Sequence, residues 1–394
     1  MKRTWLLGFG FFSISMTWAL YNAFVPFFLD AYLSSTALIG FMMTLDNYFA
    51  LFLQPWIGRR SDRTATRFGR RMPYLLAGMP LAALFVVLIP LHADFATLVL
   101  FMVLMNLAMS LYRSPTIALM PDLTPEEKRT KANGIINFMG GVGGILAYAA
   151  GSPLYRVHPA LPFLAAAAIT LLSLLILYRS VKESRDRVVA VAAEPQRLKL
   201  RGELDRTTVL LLLAIFCWFV SYQGVEALFT LYGKHQLGLE ESEAAFSLTF
   251  FSLFFVLFAI PSGWFGSRLG KKRTILIGVG GLFLVFACVP LVQSLVWLRA
   301  MLALGGIFWA FININSYPFV VSTGSEQSIG TRTGLYYLAS SLAAISSPPL
   351  IGLAIDRFGY PSLFVCAACG MLLAFLLLAQ VRHEGNPSAA ALSQ

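Results

Sequence analysis

The stretch Gln54-Pro-Trp-Ile-Gly58-Arg-Arg-Ser61-Asp62-Arg63-Thr-Ala-Thr-Arg67-Phe68-Gly69-Arg70-Arg71-Met-Pro73 packs six arginines between two apolar runs, at roughly 37 to 58 and 73 to 91. Each run is close to the ~20 residues needed to cross a hydrocarbon core. So short and basic a break between two such runs reads as the turn where two membrane helices meet. Gly58 and Gly69 let the chain turn tightly, and the paired bases Arg70 and Arg71 anchor the turn to an anionic leaflet.

Working outward, further apolar runs lie at roughly 5 to 29, 95 to 120, 130 to 152, 161 to 179, 207 to 232, 242 to 264, 274 to 292, 296 to 320, 332 to 354 and 360 to 380, making twelve. Only 12% of the 394 residues are charged and 58% are hydrophobic, whereas a soluble domain carries roughly 25% charged residues. The bilayer is the expected solvent. Lys2 and Arg3 precede the first run as in a secretory signal, yet the length of the run and the lack of a small-residue cleavage site predict a retained helix.

A net charge of +11 raises the question of nucleic acid, and the placement of the bases answers it. With the N-terminus inside, twenty-five of the thirty Lys and Arg fall on the inner side; Arg156, Lys234, Arg299 and Arg357 fall outside, and Arg113 within a helix. This is the positive-inside bias, so the expectation is a multi-pass protein of the cell inner membrane with both termini cytoplasmic and no nucleic-acid partner. The four cysteines all fall within apolar runs, and Cys366-Ala-Ala-Cys369 lacks the strand-helix context of a redox motif.

The polar stretch from Arg179 to Arg206 splits the runs six and six, as in parallel repeats related by an axis along the membrane normal. The expected division is an N-terminal six-helix bundle at 1–180, a cytoplasmic linker at 181–206, a C-terminal bundle at 207–381 and a tail at 382–394. The second half echoes the opening stretch as Gly263-Trp-Phe-Gly-Ser267-Arg268-Leu-Gly270-Lys271-Lys272, with Ser267 where the first half has Asp62. Asp62, among arginines at the end of helix two, suits a charge-assisted link to a neighbouring helix that forms in one transport state and breaks in another; the plainer alternative is a fixed anchor.

These motifs resemble those of the major facilitator superfamily, whose loop after helix two reads Gly-x-x-x-Asp-Arg-x-Gly-Arg-Arg. The wider Ser61-Asp62-Arg63, Arg67-Phe68-Gly69-Arg70-Arg71 and Pro73 are similar to the sucrose-transporter-type group of sugar/proton symporters, as are Ser114-Pro115-Thr-Ile-Ala118-Leu119-Met-Pro-Asp122-Leu123, Ala132-Asn133 and Gly151-Ser152. The resemblance implies the all-helical major facilitator fold of two pseudo-symmetric six-helix bundles, alternating access, and a disaccharide or related glycoside carried with a proton. It covers the N-terminal half well and the rest only through the duplicated loop. Departures also follow: the plant members' helix-four carboxylate matches Asn106 here and an Arg of that segment matches Ile117. The paired Asp of the related melibiose-type sodium symporters match Ala50 and Gln54, so no sodium site is expected.

An ionisable residue deep in a bilayer costs several kcal/mol, and by default it faces the bundle interior or a wet cavity. Asp46, Arg113 and Glu226 are such residues. Asp46 and Glu226 are the candidate proton-coupling groups, since a symporter needs a carboxyl that loads and unloads a proton as water access alternates. Asp46, Ala50 and Gln54 share one helix face, as do Asn106, Ser110 and Arg113, and Tyr222, Glu226 and Thr230. Arg113 keeps its proton at ordinary pH and so suits binding or pairing; depth along the helices does not predict that it pairs with Asp46.

The candidate substrate-binding set is Asn22, Asn106, Arg113, Asn137, Tyr222, Gln223, Asn313 and Asn315. The gating set is Asp62, Arg63, Gly69, Arg70, Arg71 and Asp122. For each Asn or Tyr, ordinary interhelical hydrogen bonding is the competing reading. Gly140, Gly141, Gly143, Gly144, Gly305 and Gly306 are expected at close helix contacts, and the histidines, in or near loops, suggest no proton relay. No enzyme activity, metal or cofactor beyond a proton gradient is expected, and the protein is expected to act as a monomer. The competing function is a proton-coupled exporter of drugs, lipids or small metabolites, which an aromatic and acidic cavity would favour over one rich in Asn, Gln, Tyr and Arg.

Overall fold

In hydrocarbon every backbone N–H and C=O must pair within its own segment, so each apolar run folds as a helix. The computed structural model describes residues 2–125, 128–181, 205–323 and 329–381. The expected linker and tail fall almost wholly outside the described residues. Twelve helices are long and apolar enough to span a membrane: α1 (Thr4–Asp30), α2 (Thr36–Asp62), α3 (Met72–Leu91), α4 (Phe95–Leu123), α5 (Ala132–Val157), α6 (Leu161–Ser180), α7 (Arg206–Leu237), α8 (Glu241–Arg268), α9 (Lys271–Leu291), α10 (Leu295–Ser322), α11 (Gly330–Phe358) and α12 (Ser362–Gln380).

The expected twofold repetition is visible in which helices touch. α1 packs on α5 and α6, α2 on α4, and α3 on α4 and α6; six helices later, α7 packs on α11 and α12, α8 on α10, and α9 on α10 and α12. Contacts between the halves obey the same relation, since α2 meets α11 and α5 meets α8, with α1 against α7 at the centre. Local geometry repeats as well. α3 and α9 each close on a single 3-10 turn, Ile89-Pro90-Leu91 and Val289-Pro290-Leu291. The loops after α2 and α8 turn at Gly69, with φ 104°, and Gly270, with φ 88°, a backbone region that a side chain disfavours.

Each bundle has its own apolar core. Leu20, Phe24, Leu75, Met79, Met105 and Phe163 are fully buried in the first, and Ile215, Trp218, Leu282, Ile312, Phe364 and Met371 in the second. Leu84, Leu172, Ile260 and Leu284 point outward, as a lipid-facing belt requires. The close-contact glycines behave as expected at Gly143, where an added Cβ would lie 2.5 Å from the Phe12 carbonyl oxygen of α1.

α2 departs from an unbroken helix. It has a one-residue break at Thr44, whose hydroxyl returns to the Phe41 carbonyl at 2.8 Å, and helix resumes at Leu45 with Asp46 in its first turn. Irregular backbone at mid-membrane depth is tolerated where it borders protein or a watered cavity.

Candidate functional site

Between the two bundles, at mid-depth, lies a cavity of about 530 Å³, a size within the range of small-molecule sites. The break in α2 delivers Asp46 and Asn47 to its wall, α1 contributes Trp18 and Asn22, α4 Arg113, α5 Tyr148, α7 Tyr222, Gln223 and Glu226, and α10 Trp309 and Asn313. One Asp46 oxygen, Oδ1, is buried with no hydrogen-bond partner, and so is the Trp18 indole Nε1. Both residues line the cavity, while these two atoms are themselves closed from it, so a ligand there would meet the other polar atoms of the wall.

Arg113 supplies the strongest opposite charge acting on Asp46, although the two make no ion pair, and its guanidinium stands 5.9 Å from the centre of the Trp18 ring. Across the cavity, the rings of Tyr222 and Trp309 stack at 3.8 Å with 4° between their planes. Asp46 and Glu226 reach the same cavity from opposite bundles.

Of the residues the sequence suggested, Asn22, Asp46, Arg113, Tyr222, Gln223, Glu226 and Asn313 therefore meet in one space. Three others do not join them. Asn106 is fully buried between α4 and α1, its amide donating to the Tyr21 hydroxyl at 3.4 Å. Asn315 donates to Ser262 Oγ at 3.0 Å and to the Phe311 carbonyl at 3.0 Å, binding α10 to α8. Asn137 is exposed one turn before the cavity residue Gly141, its amide held by the Asn133 carbonyl at 2.9 Å. All three make the interhelical or intrahelical bonds that compete with a binding role. Trp18, Asn47, Tyr148 and Trp309 were missed. Trp18 and Trp309 stand four residues before Asn22 and Asn313, and that shared-face spacing was the available signal.

The gating set is also redistributed. Arg71 is buried and bonds Asp62, Ser61 and, at 3.1 Å, Asp122; Arg70 meets Asp122 at 2.5 Å. These links join α2, the loop and α4 inside one bundle, so in this state Asp62 is a staple within the first half. Arg63 is exposed, and Gly69 forms the turn. In the second half the equivalent Lys272 donates to the Ala379 and Val381 carbonyls at 3.1 and 2.7 Å.

The polar ties between the bundles gather at the face opposite these arginines. Asp30 of α1 meets Lys234 at 3.1 Å and His235 at 2.8 Å on α7, and Lys234 also meets Glu241 of α8 at 3.0 Å. Tyr155 of α5 donates to Glu241 at 2.6 Å, and Arg156 lies 3.4 Å from Glu240. Asp356 of α11 accepts from Ser35 and Thr36 at the start of α2. The bundles are thus fastened over the cavity at that end, by a set that includes His235 in the last turn of α7.

Twelve spans, paired packing with a six-helix offset and a central cavity form the setting for the comparison with known families. The model of the Major Facilitator Superfamily matches residues 7–348 and, in a second match, 234–393. The chain belongs to the major facilitator superfamily. It is therefore a multi-pass membrane transporter of a small-molecule substrate. The chain is 25% identical to Multidrug resistance protein 2 of Bacillus subtilis (strain 168), over 94% of this chain and 92% of that protein. It is 32% identical to Sucrose transport protein SUC4 of Arabidopsis thaliana, over 26% of this chain and 24% of that protein. The crystal structure of nucleoside transporter NupG superimposes with a TM-score of 0.77 at 14% identity, over 98% of this chain and 100% of that one, a likeness of fold alone.

Proposed function

We propose that this superfamily member is a proton-coupled symporter of a disaccharide or related glycoside, working by alternating access. The observation that carries the reading is a central cavity between the bundles that presents Asp46 and Glu226 together with Asn22, Asn47, Arg113, Gln223 and Asn313. Amide and guanidinium groups supply the donors and acceptors that hydroxyl-rich solutes need, and the Tyr222–Trp309 pair offers a flat face for a sugar ring. Asp46 and Glu226 together exceed Arg113 by one negative charge, which a single proton neutralises. In this reading, loading that proton lets the cavity close around a neutral solute, and releasing it on the far side frees the bundles to reset.

The proposal extends to orientation. The arginine-rich face is the cytoplasmic side of the cell inner membrane by the positive-inside bias, with both termini there, and the Asp30, Glu241 and Asp356 ties close the outer side. Residues 1–180 and 207–381 move as the two rocking bodies, and Arg70, Arg71, Asp62 and Asp122 govern the inner opening. The local sequence likeness to the sucrose transport protein supports this reading.

A second reading, proton-coupled export of an apolar small molecule, is favoured by the nearly full-length match to a multidrug resistance protein and by the aromatic walls. Uptake of a disaccharide panel into proteoliposomes, with and without a pH gradient, separates the two. Symport predicts gradient-driven accumulation that Asp46→Asn or Glu226→Gln abolishes. Uptake indifferent to the gradient, or retained by both variants, overturns it, and accumulation under the reversed gradient supports export.

A further inference from the structure

A second, smaller pocket of about 170 Å³ lies apart from the central cavity, where the end of α5 meets the starts of α8 and α10. Its wall carries Arg156 from the first bundle and Glu243, Phe246 and Arg299 from the second. The three charges have incomplete partners. Arg299 lies over the rings of Phe246 and Phe250, at 5.2 and 5.6 Å, and its one hydrogen bond among the described residues is a long one, 3.4 Å to Ser247 Oγ, although a guanidinium has five N–H donors. Arg156 has an exposed pair with Glu240 at 3.4 Å, of a kind worth little. Among the described residues neither Arg299 nor Glu243 forms an ion pair, though both line this pocket.

The pocket sits at the level where hydrocarbon gives way to headgroups. Arg156 and Glu243 stand in the terminal turns of their helices and Arg299 near the start of α10, and beside them Val157, Val296 and Trp297 are exposed apolar side chains. A volume below the range of small-solute sites suits a headgroup better than a sugar.

We propose that this pocket holds the headgroup of a phosphatidylethanolamine from the leaflet opposite the arginine-rich loops, its phosphate between Arg156 and Arg299 and its ammonium at Glu243. A phosphate alone would face Glu243 with no cation between them, and an ammonium alone would stand among two arginines, so the mixed wall selects a zwitterion. The N–H groups of Arg299 match phosphate oxygens, and an ethanolamine ammonium donates hydrogen bonds that a trimethylated choline cannot. The exposed Val157, Val296 and Trp297 offer apolar surface to acyl chains, which a soluble phosphate ester would not use. Because Arg156 belongs to one bundle and Arg299 to the other, the bound phosphate adds a tie across the seam that Asp30, Glu241 and Asp356 fasten.

The test is native mass spectrometry of the full-length purified protein in detergent, supplied in turn with phosphatidylethanolamine, phosphatidylcholine and phosphatidylglycerol of the same acyl chains. Phosphatidylethanolamine is expected to be retained about tenfold more than either other lipid, and Arg299→Gln to remove that excess. Glu243→Gln is expected to make the ethanolamine and glycerol lipids equal, while Arg357→Gln, at an exposed arginine outside the pocket, changes nothing. Equal retention of the three lipids by the unaltered protein, or an equal loss in Arg357→Gln, overturns the site. A preference for phosphatidylglycerol makes it a plain anion site and overturns the zwitterion. Displacement of the lipid by an equal concentration of soluble glycerophosphoethanolamine overturns the lipid as occupant. Should Arg299→Gln fail to fold, the comparison of the three lipids on the unaltered protein and on Glu243→Gln decides.

Discussion

Asp356, near the end of α11, caps Thr36, the first residue of α2: its Oδ1 accepts the Thr36 backbone N–H at 2.6 Å, and Oδ2 accepts from Ala37 N at 3.1 Å and Ser35 Oγ at 2.6 Å. The carboxylate of one bundle thereby satisfies orphan donors at a helix N-terminus of the other and sits at the positive end of that helix dipole. Such a bond is intact only while the two halves are closed at this end.

Removing the cap is expected to favour opening there. A lost N-cap costs about 1 kcal/mol, so Asp356→Ala should raise the open population about fivefold. Spin labels on the exposed positions Tyr32 and Phe358 read this as growth of a longer-distance population. An unchanged distance distribution would count against a gating role.

The same seam is tight one turn earlier on α11. A Cβ at Gly352 would lie 2.5 Å from the Thr36 carbonyl oxygen and 2.7 Å from Ala37 Cα, both backbone atoms that cannot swing aside. Gly352→Ala should therefore wedge α2 from α11, lengthen the same label distance and slow transport, with little loss of expression because each bundle's own core is untouched. Normal transport by Gly352→Ala would show that the seam is looser than drawn.

Arg71 and Arg63 should separate sharply. Arg71 is buried and holds Asp62 and Asp122, so Arg71→Ala takes a partner from both carboxylates, Asp122 keeping Arg70, and should cost about 2 kcal/mol, less than a wholly buried pair because Asp62 is half exposed. Arg63 is exposed, and Arg63→Ala should leave the melting temperature in detergent unchanged. Equal melting temperatures for the two variants would exclude the staple.

Trp309 lies against Tyr222 in the cavity wall, so Trp309→Ala should raise the KM for transported solute about tenfold, and Trp309→Phe much less, by analogy with other aromatic contacts. A change in kcat alone, with KM untouched, would place Trp309 in the moving parts and not in the binding wall.

Outside the membrane spans, Asp94 caps α4, accepting the Thr97 N–H at 2.8 Å while Thr97 Oγ1 accepts from Asp94 N. The Thr97 hydrogen bonds hold the Asp94 carboxyl below its ordinary value. A lowered folded-state value means that the stabilisation is fully present above the ordinary carboxylate range and is lost as pH falls through the lowered one. The melting-temperature advantage over Asp94→Ala should thus be flat from neutral to mildly acid pH and vanish only in strong acid.

The twelve helices, their division into equal halves and the superfamily loop were readable in the chain itself. Hydrocarbon leaves the backbone only one way to pair within a segment, so apolar length alone dictates helix, and a duplicated Gly and base pattern marks the repeat. The chain also singled out Asp46, Arg113 and Glu226, because burying an ionisable group in a bilayer demands a reason that the sequence exposes. It did not reveal which of the cheaper polar groups face the cavity: Asn106 and Asn315 have the same composition and similar spacing as Asn22 and Asn313, yet they bind neighbouring helices. That choice depends on how each helix is rotated against its neighbours. The cross-bundle bonds of Asp30, Glu241 and Asp356 were likewise beyond reach. Their partners in the other bundle lie 86 to 321 residues away and meet only when two halves with no local reason to touch close over the same space.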